Sequence, residues 1–152
     1  MGKRPGKTIL LIESDLEEAR SIHEMIDAQG LRVFNFVHRE SIRDAEEYLT
    51  NNSVDIVLLD LESIDPPGLG AVRQVHTAAP QVSLVLLSDL KDEATAVQAF
   101  QEGAQDYLIK GQIEPRELIR ALVNSIEHKQ IEKTIFSKMN TPKSHSPALA
   151  TP

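Results

Sequence analysis

Five short runs of aliphatic and β-branched residues, each followed by a stretch with helical spacing, constrain this chain more than any other feature. The runs are Thr8–Ile12, Leu31–Val37, Val54–Leu59, Val82–Leu87 and Asp106–Ile109. Short apolar runs between turn signals predict strands buried on both faces, as in parallel sheets covered by crossover helices. After the first run, Leu16, Ala19, Ile22, His23, Met25 and Ile26 recur at three- and four-residue intervals until Gln29-Gly30 supplies a stop. Ser41–Leu49 sets Ile42, Ala45 and Leu49 on one face, and Leu69–Ala78 turns Val72 and Val75 inward before Pro80. Asp92–Glu102 gathers Ala96, Val97, Ala99 and Phe100 ahead of Gly103. The last helix is expected from Glu114 to about Lys133, with Pro115 in its first turn, where a missing N–H costs nothing.

Strand and helix in strict alternation predict an α/β fold built from right-handed βα crossovers. The expectation is a flavodoxin-like, doubly wound, five-stranded parallel sheet in the order 2-1-3-4-5 with five helices. At 152 residues the chain is large enough for one core and small for two. The predicted division is a flexible N-terminus over 1–7, one domain over 8–130, a helical extension over 131–139 and a disordered tail over 140–152. The extension rests on Ile131, Ile135 and Met139, which continue the last helix on a face shifted from that of Leu118, Ile119, Leu122 and Ile126. Such a second face suits a partner or a homodimer contact. The tail is rich in Pro and Ser and poor in large apolar groups.

Charge and composition exclude several classes. With 23 acidic and 16 basic residues the formal charge is -7, which argues against direct nucleic-acid binding through a basic footprint. There is no Cys, so no disulfide or thiolate chemistry, and the five His residues form no ligand-spaced pair. No apolar stretch approaches the ~20 residues needed to span a bilayer, and the expected setting is cytoplasmic, away from membrane.

What remains is the chemistry at the strand ends. Polar groups follow four of the five strands: Glu13-Ser14-Asp15, Asp60, Ser88 and Lys110. In an open parallel sheet the carboxyl ends of the strands line the ligand crevice, so these groups should converge. Carboxylates with a hydroxyl and an ammonium suit a hard cation beside an Asp able to attack phosphorus. Local structure offers competing uses. Ser14-Asp15-Leu16-Glu17 reads as a capping box, Asp15 as a helix-start acid, and Tyr107 as a partly buried edge aromatic.

The segments Ile9–Asp15, Val54–Leu61 with Gly68 eight residues beyond Asp60, Leu86–Ser88 and Glu102–Gly111 resemble the receiver domain of bacterial two-component response regulators. The resemblance covers about Thr8 to His128. It implies that Asp60 accepts a phosphoryl group from a histidine kinase or phosphotransfer protein, that Lys110 pairs with the phosphoryl oxygens, and that Ser88 is the switch hydroxyl. Tyr107 would be the aromatic that moves on activation and signals to a downstream protein target. Mg²⁺ would be held by Glu13, Asp15, Asp60 and the backbone carbonyl of Glu62, weakened because Ser14 replaces an expected acid. Asp89, beside the switch hydroxyl, adds a carboxylate able to repel phosphate. On this reading the protein is a phosphoryl acceptor, with at most slow self-dephosphorylation, and not an enzyme. Two alternatives stand beside it. One is a pseudo-receiver, an interaction module that is not phosphorylated. The other is an α/β enzyme or nucleotide binder on the same plan, against which stand the absence of a Gly-rich loop after Ile12 and of Trp.

Overall fold

Strand β1 (Lys7–Ile12) carries five consecutive buried residues, Thr8 to Ile12, and takes the central role the apolar pattern predicts. It pairs in parallel with β2 (Phe34–Arg39) on one side and β3 (Ile56–Asp60) on the other. Beyond β3 lie β4 (Ser83–Ser88) and β5 (Asp106–Ile109), giving the expected order β2-β1-β3-β4-β5. The computed structural model describes residues 6–28, 34–64 and 68–139. Outside the described residues lie most of the expected flexible N-terminus, the Gln29-Gly30 stop, Leu31 to Val33, the Pro66-Pro67 turn and the tail from Asn140.

Alternation along the strands separates two apolar layers. Ile9, Leu11, Ile56, Leu58, Val85 and Leu87 face α1 (Leu16–Asp27) and α5 (Pro115–Met139), through Ile22, Ile26, Leu118, Leu122 and Ile126. Leu10, Ile12, Val57, Leu59, Leu84 and Leu86 face the other side, which packs Ile42 and Ala45 of α2 (Ile42–Asn51), Val72 and Val75 of α3 (Leu69–Ala78), and Ala99 of α4 (Glu93–Gln101). Each fully buried Leu or Ile in these layers contributes about 1.5–3 kcal/mol. The core therefore fixes the sheet rigidly, and with it the positions of the strand ends.

Several boundaries differ from the sequence expectation. β3 begins at Ile56 and not Val54, because Asp55 turns to tie down the start of β1: its carboxylate accepts the Thr8 N–H at 2.8 Å, and its own N–H donates to the Thr8 carbonyl at 3.0 Å. β2 extends to Arg39, since Glu13 donates its N–H to the Arg39 carbonyl and lengthens the β1–β2 ladder. α5 runs to Met139 as one helix, so the residues of the expected helical extension over 131–139 are continuous with it. On α4 only Ala99 of the expected apolar face is buried, while Val97 and Phe100 are exposed. Glycine matters at two helix ends: Gly68 starts α3 at φ +96° and Gly103 follows α4 at φ +118°.

Candidate functional site

The parallel register brings four strand ends to one edge. Ile12 lies opposite Leu59, Asp60 opposite Leu87, and Ser88 opposite Ile109, so the residues that end or follow these strands are Glu13, Asp60, Ser88 and Lys110. Asp60 is wholly buried. Its Oδ2 accepts from Lys110 Nζ at 2.7 Å, and its Oδ1 accepts the Glu62 N–H at 3.2 Å. Lys110 stands there because its own N–H bonds the Ser88 carbonyl at 2.9 Å, extending the β4–β5 ladder by one step. Burial pulls the ammonium's pKa down, but the hydrogen bond and charge of Asp60, with the charges of Asp89 and Glu18, outweigh it and hold the pKa above its ordinary value. This is a charged pair in a dry setting, and its cation is locked in the protonated form.

Glu13 is the second buried carboxylate. Its Oε2 accepts the Asp15 N–H at 3.1 Å, whereas Oε1 is buried with no hydrogen-bond partner. Desolvation by burial raises its pKa to about 8, with the neighbouring Asp60 carboxylate adding to the rise and Ser63 and the Asp15 N–H opposing it. Oxygens of Glu13, Glu18 and Asp60 lie within 4.8 Å of one another. Ionising all three this close together is costly, and a hard divalent cation is the group that offsets the charge of such a set. The orphaned buried oxygen of Glu13 and the all-oxygen donor set both fit Mg²⁺.

Of the two expectations for Asp15, the structure follows the helix-start acid. Asp15, expected among the cation ligands, is the N-cap of α1, where one carboxylate oxygen accepts the Glu17 and Glu18 N–H groups at 2.9 and 3.2 Å. The capping box expected of Ser14 and Glu17 is not formed, since the Ser14 hydroxyl donates to the Ser63 carbonyl, which the Ser14 N–H also reaches at 3.0 Å. Ser14 thereby fastens the β3–α3 loop to the end of β1. Glu18, which sequence reasoning passed over, takes the place expected for Asp15. The signal was available: helix side chains tilt towards the N-terminus, so the third residue of α1 leans back over the strand end.

On the other side of Asp60, the Glu62 carboxylate turns back into the site. Its Oε2 accepts the Ser88 hydroxyl at 2.5 Å, its Oε1 accepts the Asp89 N–H at 2.9 Å, and Lys110 Nζ is 3.8 Å away. The Asp89 carboxylate itself is mostly solvent-exposed, 3.7 Å from Lys110. Ser88 Oγ also accepts the Leu90 N–H at 2.9 Å, and the Leu90 carbonyl accepts the Tyr107 hydroxyl at 2.9 Å. Tyr107 is partly buried on β5, and its polar tip is tied to the β4–α4 loop.

Comparison with known proteins bears on the family and the fold. Residues 9–123 match the response regulator receiver domain family. The alginate biosynthesis transcriptional regulatory protein AlgB of Pseudomonas putida is 28% identical over 148 residues, covering 93% of this chain and 32% of that protein. The cell cycle transcriptional regulator CtrA of Caulobacter vibrioides is 30% identical over 103 residues, covering 67% of this chain and 43% of that protein. The chain thus spans less than half the length of either relative. A response regulator receiver domain protein from Methanospirillum hungatei JF-1 shares the fold with a TM-score of 0.72 at 17% identity, over 84% of this chain and 98% of that one. A buried Asp–Lys pair at the carboxyl edge of a 2-1-3-4-5 sheet, in a chain matched over most of its length, leads to one assignment: the protein belongs to the response regulator receiver domain family.

Proposed function

We propose that this receiver domain accepts a phosphoryl group on Asp60 from a histidine kinase or phosphotransfer protein, and thereby switches a protein-binding surface. The observation that carries the reading is the buried Asp60 carboxylate, paired with Lys110 at 2.7 Å beside an unpartnered Glu13 oxygen. In the transfer an Asp60 oxygen forms a bond to phosphorus while the bond from phosphorus to the donor's imidazole nitrogen breaks. The nitrogen keeps the electron pair, and Asp60 becomes a mixed anhydride. Lys110 offsets the charge carried by the phosphoryl oxygens. The cation would be Mg²⁺, held by Glu13, Glu18 and Asp60 with the Glu62 carbonyl, and it would supply positive charge to offset that of the phosphoryl oxygens. Glu18 thus makes up for the acid missing at Ser14. The protein is an acceptor that releases phosphate slowly, and not a turnover enzyme.

The switched surface we assign to α4, β5 and the loop between β4 and α4, where Leu90, Val97 and Phe100 are exposed and the Tyr107 hydroxyl bonds the Leu90 carbonyl. Two relatives are named as transcriptional regulators. By that likeness the downstream target is an output module, attached or separate.

One observation favours a receiver that is not phosphorylated: the Glu62 carboxylate already engages Ser88 and the Asp89 N–H. Incubation with Mg²⁺ and acetyl phosphate separates the two readings. The expected result is a gain of one phosphoryl mass by intact-protein mass spectrometry, abolished in Asp60→Asn. No gain at any Mg²⁺ concentration would leave the interaction module as the function.

A further inference from the structure

The Ser88 hydroxyl and the Asp89 N–H both donate to the Glu62 carboxylate, which also lies beside Lys110, the partner of Asp60. Glu62 Oε2 takes the Ser88 hydroxyl at 2.5 Å, and Oε1 takes the Asp89 N–H at 2.9 Å and lies 3.8 Å from Lys110 Nζ. The side chain is only 34% exposed, and hydrogen bonds to a charged acceptor of this kind are about twice as strong as neutral ones. Lys110 also touches Asp60 Oδ2 at 2.7 Å, and the Glu62 N–H touches Oδ1 at 3.2 Å, which sets the Glu62 carboxylate next to the acceptor group.

We infer that Glu62 is an internal occupant of the phosphoryl seat: its carboxylate and a phosphoryl group on Asp60 compete for the same hydroxyl, amide and ammonium. The inference rests on the phospho-acceptor reading. In the resting chain Glu62 satisfies donors that would otherwise be short of partners, and the bonds run on from it. Ser88 holds the Leu90 N–H, and the Leu90 carbonyl holds Tyr107. The loop between β4 and α4 is therefore fastened in one arrangement by the same carboxylate that fills the seat. A phosphoryl group enters only when Glu62 swings outward, which its partial exposure permits without loss of the β3 backbone pairing. Entry is limited by the fraction of chains with Glu62 out, and apparent affinity for a phosphoryl mimic falls by that fraction.

Asp89 provides the control. Its carboxylate lies 3.7 Å from Lys110, as close as that of Glu62, but it is 68% exposed and meets the donor cluster at Lys110. Glu62→Ala and Asp89→Ala remove the same charge at the same distance, and only the first empties the seat. Full-length wild type, both variants and Glu62→Gln are titrated with beryllium trifluoride and Mg²⁺ by fluorine NMR, and their acetyl phosphate reactions are followed by intact mass. Glu62→Ala is expected to bind the mimic about tenfold more tightly and to react correspondingly faster, with Asp89→Ala changed less than about threefold. In the free protein, amide signals of Asp89 and Leu90 are expected to shift in both Glu62 variants. Equal gains in Glu62→Ala and Asp89→Ala, or none in either beside a wild type that forms the adduct, would overturn the seat. Absence of adduct in every form would instead overturn the phospho-acceptor reading, and the seat with it.

Discussion

The Lys110 ammonium lies 2.7 Å from the Asp60 carboxylate where Asp60 is wholly buried and Lys110 is 13% exposed. Each charge is tolerated because the other is there. Removing the cation leaves a buried anion beside a second buried acid, Glu13, and should cost about 3–5 kcal/mol. Lys110→Met is therefore expected to lower the urea midpoint sharply, and Asp60→Asn/Lys110→Met to recover most of the loss. Equal costs in the single and double variants would assign the effect to the packed stem of Lys110 and not to its charge.

Burial lifts the Glu13 carboxyl to about 8, from 4.5, with the neighbouring Asp60 carboxylate adding to the rise. The unfolded chain loses this proton near the ordinary value, whereas the folded chain keeps it until about 8. Between those values the folded state binds more protons, so the contribution to stability is full below the lower one and is lost as pH rises through the upper one. Thermal melts in EDTA should show the melting temperature falling from about pH 5 to 8, with a shallower slope in Glu13→Gln. Identical slopes would remove Glu13 as the titrating group.

The sheet was legible in advance because alternation of strand and helix leaves few topologies, and Asp60 and Lys110 stand at the ends of apolar runs where polar groups need a reason. Boundaries that slipped did so where one side chain redirected the backbone, as Asp55 does at the start of β3. The acids after β1 were harder. Ser14, Asp15 and Glu17 suit a capping box by composition, but the cap falls to Asp15 because Ser14 is drawn to the Ser63 carbonyl, a contact 49 residues away along the chain. Glu62 shows the same limit. Its place two residues past Asp60 sets its distance from the site, but the inward turn of its carboxylate depends on Ser88 and Asp89, which only the folded sheet brings near.

Gly103 closes α4 at φ +118°, and a Cβ placed there would meet the His76 ring at 2.6 Å. Gly103→Ala should therefore lose more than ~1 kcal/mol from backbone strain alone, with the collision added. In Gly103→Ala/His76→Ala the collision disappears and the strain stays. A double-mutant cycle by chemical denaturation should give a favourable coupling of about 1 kcal/mol, and zero coupling would place the whole cost in the backbone.

The last buried residue of α5 is Ile126, yet the helix runs on to Met139 with Ile131, Ile135 and Met139 at 56%, 52% and 78% exposure. These three recur every four residues, so they form one apolar stripe beyond the sheet, and a single exposed helix of this length gains little on its own. Truncation after Lys129 removes the stripe and leaves both core layers whole. Unfolding free energy should change by less than ~1 kcal/mol, while the far-ultraviolet helical signal drops. If the stripe joins two copies, sedimentation of the longer chain should show a dimer that the truncated chain lacks. A truncated chain with unchanged association would confine the stripe to contacts within one molecule, and a large loss of stability would mean that the end of α5 helps to hold the core.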